Sequence, residues 1–342
     1  AIYIIRNTYF ILTKKRAISM APKHYIFFIL LDILIKVLYN VFIKNIYFKK
    51  SKMKKDNNIE KKLIGIIINK SRNNTDSIVK KLKNIINKYN AEAISIDYDI
   101  SSYNNINKAI KTLKNVSMLI SIGGDGTLLS ALKIAIKYNI SVLPIYNGTL
   151  GFISEIPPEE AYLIIEEYFN NKKTLYEIEP RILLDIEIKT SKTTKKYLAI
   201  NELALCKLDG RTLYMDINIS GKKVSSIIGD GVVVATPTGS TAYALSAGGP
   251  IIVPTIDAMS FVPIAPHSLT FRPLVIPKGD SVEIKLSQKS KKGMVTIDGY
   301  DIYKFGKTDT VKASISDKNC YIFQSANRLF YDILRNKLNW GI

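Results

Sequence analysis

A glycine-rich segment holds the residues best suited to chemistry, Ser121-Ile122-Gly123-Gly124-Asp125-Gly126-Thr127. It lies where a predicted strand ends and a predicted helix begins, the position at which open α/β sheets bind ligands. The glycines let the backbone approach a phosphate closely, and the helix start offers free N–H groups to an anion. Because a carboxylate repels phosphate, Asp125 is expected to accept a proton, bind magnesium or bind a sugar hydroxyl. The plainer alternative is a glycine-rich turn with Asp125 as helix N-cap.

Two common nucleotide-binding motifs do not match the sequence. No third glycine follows Gly126 at the spacing of the dinucleotide-binding fingerprint. Gly306-Lys307-Thr308 has the ending of a P-loop, but Asp301 stands where the first glycine of that motif should be. We therefore interpret residues 306–308 as a turn.

Hydroxyl-bearing and small residues are concentrated in a second segment, residues 236–250. Residues 236–241 combine hydroxyls with a flexible glycine, which suits the many hydrogen bonds of a polar ligand. Tyr243 offers a flat face on which a base can stack, and the small residues after it permit close backbone approach. The alternative is a loop that merely packs tightly, but tight packing does not require so many hydroxyls. Asn201-Glu202 offers donors and acceptors that match ribose hydroxyls.

Alternating strand and helix patterns surround the glycine-rich segment. The apolar run Leu63–Ile68 is typical of a buried parallel strand. Helices are also predicted over 75–89, 105–114 and 127–138, and strands over 93–97, 116–122 and 141–145. This alternation predicts a doubly wound, Rossmann-like α/β domain with parallel strands.

Beyond about residue 177 the pattern becomes mostly β. Strands are predicted over 181–189, 197–208, 213–219 and 281–286, which favours a β-sandwich. A final amphipathic stretch, 328–338, is predicted to be a helix that returns to the first domain. The expected domains are a basic apolar extension at 1–55, the α/β domain at 56–172, a β-rich domain at 173–325 and the C-terminal helix at 326–342.

Several segments together resemble one family of kinases. Gly123-Gly124-Asp125-Gly126-Thr127 resembles the motif of a superfamily that includes NAD kinases, diacylglycerol and sphingosine kinases, and phosphofructokinases. Residues 230–250 resemble the long signature of the NAD kinases, and Asn201-Glu202 resembles their short Asn-Glu motif. Residues 147–152 and 266–269 resemble two further blocks of that family, and all of these segments occur in family order.

The resemblance implies transfer of the γ-phosphoryl of ATP to the 2′-hydroxyl of the adenosine ribose of NAD, giving NADP. It implies Asp125 as the catalytic residue, which orients or deprotonates that hydroxyl. The implied phosphate-binding residues are Gly123, Gly124, Gly126 and Thr127. The implied NAD-binding residues are Asp125, Gly126, Phe152, Asn201, Glu202, Asp230, Thr238, Thr241, Ala242, Tyr243, Ser246, Ala265 and Tyr300. Mg²⁺ or another divalent metal is expected to be held mainly by the ATP phosphates.

Some positions have more than one interpretation or depart from the family pattern. Phe152 either covers the bound nucleotide, which the family favours, or closes the hydrophobic interior. Tyr300 follows Asp298-Gly299 where the family commonly has Gln. His267 is the only histidine outside the N-terminal extension, and we expect a structural or supporting role for it. Cys206 and Cys320 lie in apolar β-type segments and are interpreted as core.

The net charge of +20 indicates an anionic partner, but it is unevenly spread. Residues 1–52 carry ten Lys or Arg and one acid, Asp32, which leaves a moderate surplus for the rest of the chain. Charges interrupt the apolar stretch 25–48, so a membrane-spanning helix is not expected there. Either the segment is a basic amphipathic extension that touches a membrane or targets the protein, or it is not part of the functional protein. We favour the second interpretation, which predicts that a chain beginning at Met53 folds and keeps full activity.

Other functions remain as alternatives. A lipid kinase of the diacylglycerol or sphingosine type shares Gly123-Gly124-Asp125-Gly126-Thr127, but it does not account for Asn201-Glu202 or residues 236–241. A non-catalytic protein that binds anions or nucleic acid would fit the charge, but no nucleic-acid motif is present and no nucleic-acid partner is expected. NADH and polyphosphate remain open as alternative substrates. Two cysteines favour a reducing, cytoplasmic location, and the family implies a homo-oligomer, either dimer or tetramer.

Overall fold

Parallel strands alternate with helices between residues 63 and 169, as predicted. The computed structural model describes residues 62–69, 74–97, 113, 115–148, 150–290 and 292–341. The extension at 1–55 and nearly all of the helix predicted over 105–114 lie outside the described residues. The first elements are β1 Leu63–Ile68, α1 Thr75–Lys88, β2 Glu92–Asp97, β3 Val116–Gly123, α2 Asp125–Tyr138, β4 Ser141–Tyr146 and α3 Pro158–Phe169.

Helices cover both faces of this parallel sheet. Its strands run in the order β2-β1-β3-β4. Side chains alternate between faces along a strand, so Ile66 packs in a cluster with α1 and α3, whereas Ile67 packs in a cluster with α2. The buried residues of α1 recur every three or four positions, from Ile78 to Ile86, which is why this segment forms a helix on the sheet. The predicted doubly wound domain is confirmed.

The remainder is mostly β and forms the predicted sandwich. Its elements are β5 Tyr176–Lys189, β6 Thr194–Ala199, β7 Glu202–Lys207, β8 Leu213–Ile219, β9 Lys222–Gly229, β10 Gly231–Ala235, a 3₁₀ turn Gly239–Thr241, α4 Tyr243–Ser246, β11 Ala258–Ile264, β12 Leu274–Pro277, β13 Ser281–Leu286, β14 Gly293–Ile297, β15 Tyr300–Phe305, β16 Thr310–Ser325 and α5 Phe330–Leu338. The single strand predicted over 197–208 is wrong, because the chain turns at Ile200 and Asn201 between β6 and β7.

One long strand joins the two halves. The second half of β16 pairs in parallel with β4, and its first half pairs with β13, so one mixed sheet runs through both the α/β part and the sandwich. A second sheet, in the order β12-β11-β10-β7-β14-β15, packs against it over a shared apolar core. None of the helices in the described ranges has the length and apolar character needed to cross a bilayer.

The C-terminal helix α5 returns to the α/β part. Lys337 donates to the carbonyl of Leu150, and Arg328, just before α5, pairs with Glu160 at 2.7 Å. Arg328 also donates to the carbonyl of Glu155 at 2.6 Å. Glu155 is fully buried, and burial raises the pKa of its carboxyl. These contacts anchor the loop between β4 and α3, which contributes to the site described next.

Candidate active site

The start of α2 presents an open surface at the end of β3. Gly124 precedes the helix in an extended conformation, and no side chain caps the helix start. A Cβ added to Gly124 or Gly126 would meet no atom within 4 Å, so a ligand can approach the backbone there. Gly124 and Gly126, two of the four expected phosphate-binding residues, therefore face open space. They lie at the N-terminus of α2, the end of a helix that favours anions.

Gly123 and Thr127, the other two expected phosphate-binding residues, pack against each other. A Cβ on Gly123 would lie 2.4 Å from the Thr127 hydroxyl oxygen, so this close contact requires glycine. Thr127 is buried, and its N–H donates to the carbonyl of Gly124 at 3.0 Å. Their evident role in this conformation is to shape the turn.

Asp125 is held by a loop that follows β4. Its carboxylate accepts backbone N–H groups from Phe152 at 2.9 Å, Ile153 at 3.2 Å and Ser154 at 2.9 Å. A Cβ on Gly151 would lie only 2.1 Å from Asp125 Oδ1, so the loop reaches the carboxylate because residue 151 is glycine. Hydrogen bonds to a charged acceptor are the stronger kind, and three of them hold this side chain in one orientation.

Phe152 lies beside this carboxylate and is half-buried. Its side chain packs against the apolar cluster between the parallel sheet and α2. Its backbone N–H is one of the three donors to Asp125. The side chain of Phe152 therefore packs with the interior in this conformation, while its backbone N–H supports the site.

Asn201 and Glu202 lie at the turn between β6 and β7, and both are buried, at 7% and 6% exposure. Asn201 Oδ1 and Glu202 Oε2 have no hydrogen-bond partner within the described chain. A buried acceptor without a donor costs about 1–3 kcal/mol. Hydroxyl groups of a sugar could supply the missing donors, which agrees with the ribose-binding role expected from the sequence.

Burial raises the pKa of Glu202 to about 7, and the negative charge of Asp298 adds to this effect. Lys133 and the backbone amide of Tyr243 act in the opposite direction. The carboxyl of Glu202 therefore changes its protonation state close to neutral pH, unlike an ordinary glutamate.

The segment 236–246 packs against the Asn201 turn. A Cβ on Gly239 would lie 2.1 Å from the carbonyl oxygen of Asn201, so only glycine permits this approach. Thr236 donates to the carbonyl of Ile200 at 2.6 Å and accepts the N–H of Gly239 at 3.0 Å. These contacts tie the segment to the turn that carries Asn201 and Glu202.

Most hydroxyls in this segment serve its own backbone. Ser240 donates to the carbonyl of Pro237 at 2.6 Å and accepts the N–H of Ile252 at 2.9 Å. Thr241 donates to the carbonyl of Thr238 at 3.1 Å. The abundance of hydroxyls, which the sequence suggested was for a ligand, is thus largely explained by the turn itself. Of the expected contacts, Thr238 is buried, Thr241 and Ala242 are half-buried, and Tyr243 and Ser246 are exposed.

Asp230, the second acid expected to bind NAD, lies between β9 and β10. Its carboxylate pairs with Lys207 Nζ at 2.7 Å, and both side chains are about one-third exposed. The Tyr243 hydroxyl lies 3.7 Å from Cys206 Sγ, and burial raises the pKa of Tyr243 to about 12. Cys320 is buried as expected, whereas Cys206 is half-buried at this edge of the site.

Comparison with known proteins decides the family. Residues 2–173 match the model of the ATP-NAD kinase N-terminal domain, and residues 200–325 match that of the ATP-NAD kinase C-terminal domain. An NAD kinase from Sulfurimonas denitrificans is 33% identical over 289 residues, covering 84% of this chain and 99% of that protein. An NAD kinase from Aquifex aeolicus is 36% identical over 231 residues, covering 67% and 83%. The chain belongs to the NAD kinase family.

Solved structures of this family share the fold. The crystal structure of yeast NADH kinase complexed with NADH has a TM-score of 0.71 at 22% identity and covers 83% of this chain and 89% of that one. An NAD kinase from Archaeoglobus fulgidus in complex with ATP has a TM-score of 0.60 at 23% identity, covering 81% and 97%. Both comparisons confirm the α/β domain joined to a β-sandwich.

The structure also places the remaining residues that this NAD kinase family implies. Ala265 is exposed and has a left-handed backbone, with φ at 42°. Tyr300 is half-buried, and its ring centroid lies 4.0 Å from Lys133 Nζ. His267 is exposed, and its backbone N–H donates to the carbonyl of Ile228 at 2.9 Å.

Two residues at the site, Lys133 and Asp298, were not predicted from the sequence to have a role there. Asp298 accepts backbone N–H groups from residues 200–202, and Lys133 lies 3.5 Å from it. The sequence did offer one signal for Lys133, because this charged residue stands directly between two apolar residues, Leu132 and Ile134, which are both buried in the helix. Asp298 was recognised only as part of Asp298-Gly299-Tyr300, without a role.

Proposed function

We propose that the chain transfers the γ-phosphoryl of ATP to the 2′-hydroxyl of the adenosine ribose of NAD, giving NADP. The observation that carries this proposal is the Asp125 carboxylate, held by three backbone N–H groups at the open start of α2. The family supports it, since relatives are NAD kinases and structural neighbours were solved with NADH and with ATP. The family models matched are those of ATP-NAD kinases, so a lipid kinase is not favoured.

The geometry suits phosphoryl transfer, which depends mainly on positioning and charge neutralisation. Asp125 orients or deprotonates the 2′-hydroxyl, and three backbone N–H groups hold its carboxylate in one orientation for this role. Gly124 and Gly126 leave the start of α2 open to phosphate oxygens. Asn201 and Glu202 accept hydrogen bonds from ribose hydroxyls. Tyr243, with its exposed ring, provides a stacking face beside them.

The other NAD contacts in this proposal follow the family motifs. They are Gly126, Phe152, Asp230, Thr238, Thr241, Ala242, Ser246, Ala265 and Tyr300. Gly123 and Thr127 complete the phosphate site by shaping its turn. Within the described residues no three acidic, histidine or cysteine side chains group together as metal ligands, and magnesium is proposed to bind through the ATP phosphates. It would neutralise the charge of the triphosphate.

The cellular setting of the enzyme is part of the same proposal. It acts in the cytoplasm as a homo-oligomer, as the family implies. Residues 56–172 and 173–325 form its two domains, with 326–342 returning to the first. A chain beginning at Met53 is expected to fold and to keep full activity.

The proposal is tested by measuring NADP formation with NAD or NADH, each combined with ATP or polyphosphate. We expect product with NAD and ATP, and no ATP turnover with diacylglycerol or a sphingoid base. Asp125→Asn removes the carboxylate that orients or deprotonates the hydroxyl, so kcat should fall by about 10²–10⁴-fold while NAD still binds. Asp317→Asn, an exposed change outside the site, serves as the control. Absence of product in all four combinations would overturn the proposal, and a kcat in Asp125→Asn within a few-fold of wild type would overturn the role of Asp125.

A further inference from the structure

Asp298 is a fully buried carboxylate at the turn between β14 and β15. Its side chain has 0% exposure. Its Oδ1 accepts the N–H groups of Ile200 at 3.0 Å, Asn201 at 2.8 Å and Glu202 at 3.3 Å. The N–H of Asp298 in turn donates to the carbonyl of Glu202 at 3.0 Å. One side chain thus organises the whole turn between β6 and β7, where the strand pattern in the sequence would otherwise continue.

Lys133 connects this turn to the helix that begins at Asp125. Its Nζ lies 3.5 Å from Asp298 Oδ2, and its side chain is only 15% exposed. The same Nζ lies 4.0 Å from the ring centroid of Tyr300, within the range of a cation–π contact. Lys133 is eight residues beyond Asp125, or about 12 Å along the helix axis. A rigid helix therefore joins the two parts of the site.

The turn held in this way carries the two unpartnered acceptors, Asn201 Oδ1 and Glu202 Oε2. Because three backbone N–H groups of this turn donate to the Asp298 carboxylate, the backbone that carries Asn201 and Glu202 has little freedom to move. The charged and titratable groups facing the Glu202 carboxyl are Asp298, Lys133 and Tyr243. Lys133 lies between the buried residues Leu132 and Ile134 of α2, and its own side chain is largely buried.

We propose that Asp298 and Lys133 are a positioning pair for NAD binding: Asp298 holds the turn that presents Asn201 and Glu202, and Lys133 ties that turn to the helix that begins at Asp125. This inference rests on the proposed function of the site. Neither residue contacts the reacting atoms in this role. The pair also sets the charge of Glu202, because Asp298 raises the pKa of Glu202 and Lys133 lowers it.

The test compares Lys133→Met with Lys133→Arg and with Lys137→Met. Lys137 lies one turn further along the same helix, is exposed and has no ion pair within the described chain, so it is the matched control. Loss of one charge-assisted contact should raise the KM for NAD at least tenfold in Lys133→Met, with little change in kcat or in the KM for ATP. Lys133→Arg should restore most of the affinity, and Lys137→Met should resemble wild type.

The second readout is the titration of Glu202, followed by carbon-13 NMR of labelled glutamate and assigned with Glu202→Gln. Removing the positive charge in Lys133→Met should raise the pKa of Glu202 and move the pH profile of the KM for NAD to higher pH. Removing the negative charge in Asp298→Asn should move both in the opposite direction. A general loss of structure would not produce shifts of opposite sign. If Asp298→Asn does not fold, the two Lys133 variants carry the test.

The possible outcomes separate this inference from the proposed function. If wild type makes NADP but Lys133→Met matches Lys137→Met in KM and in the titration of Glu202, the positioning pair is refuted and the kinase activity stands. If wild type makes no NADP, the proposed function fails, and the NMR titration still decides whether the pair controls Glu202. Opposite shifts in the two variants support the pair, and equal or absent shifts refute it.

Discussion

Replacing Gly151 by alanine tests how firmly the loop after β4 holds Asp125. The added Cβ would lie 2.1 Å from Asp125 Oδ1 and 2.8 Å from its Cγ. Ordinary contact begins at 3.4 Å, so the carboxylate or the loop must move by about 1.3 Å. A shift of this size breaks hydrogen bonds that are now 2.9 and 3.2 Å long.

The expected effect on activity is large because Asp125 must meet a hydroxyl at a defined position. A misplacement of about 1 Å can cost about 100-fold in rate, which equals about 2.7 kcal/mol of barrier. Each of these hydrogen bonds to a charged group that is lost should also lower the free energy of unfolding by about 1.5–3 kcal/mol. The protein should still fold, since Gly151 does not require a left-handed backbone.

The assay couples NADP formation to an NADP-specific dehydrogenase at saturating NAD and ATP, with thermal unfolding measured on the same samples. Gly306→Ala is the matched control. Its Cβ would also face an aspartate, Asp309, but at 3.4 Å from Oδ2, which is an ordinary van der Waals distance. A kcat of Gly151→Ala within threefold of this control, with the same unfolding temperature, would show that the three N–H donors do not position Asp125.

Two further predictions concern buried charges. Glu202→Gln should bind NAD more weakly but unfold at a higher temperature at pH 8, because the raised pKa of Glu202, about 7 against 4.5, means that folding destabilises the charged carboxylate. That cost is absent below pH 4.5, grows between pH 4.5 and pH 7, and amounts to about 3 kcal/mol above pH 7. The unfolding temperatures of the two proteins should therefore converge at low pH. Arg328→Ala removes the ion-pair partner of buried Glu155, leaving only the more distant charge of Arg181, and should lower the free energy of unfolding by about 3–5 kcal/mol in urea titrations. Arg335→Ala, whose side chain is 61% exposed in the same C-terminal region, should change it by less than 1 kcal/mol, and equal effects of the two changes would contradict this account.

Local patterns predicted much of this protein. The glycine-rich segment was placed correctly between β3 and α2, because an apolar run followed by glycines and a helical pattern is encoded in neighbouring residues. The alternation of elements up to β4 and the change to mostly β structure were also predicted, and the α/β domain and sandwich are confirmed. The site residues were expected from the resemblance to the family motifs, and their contacts with NAD and phosphate stay predictions.

Other features depend on residues far apart in the chain. The strand predicted over 197–208 is interrupted at residues 200–201. The N–H groups of residues 200–202 donate instead to the carboxylate of Asp298, almost a hundred residues later in the chain. The hydroxyls of Thr236 and Ser240 were expected to serve a ligand, but the fold supplies backbone partners that no local pattern reveals. Lys133 has a role only because the folded chain brings it to Asp298.

By itself, the sequence determined which chemical groups this protein has and in which local structures they lie, since backbone preference and hydrophobic spacing are properties of contiguous residues. The tertiary structure decided which groups meet. It places Gly151 against Asp125, joins Asp298 to the turn of Asn201 and Glu202, and raises the pKa of Glu202 to about 7. These properties arise from burial and from charges on distant segments, and both exist only once the chain is folded.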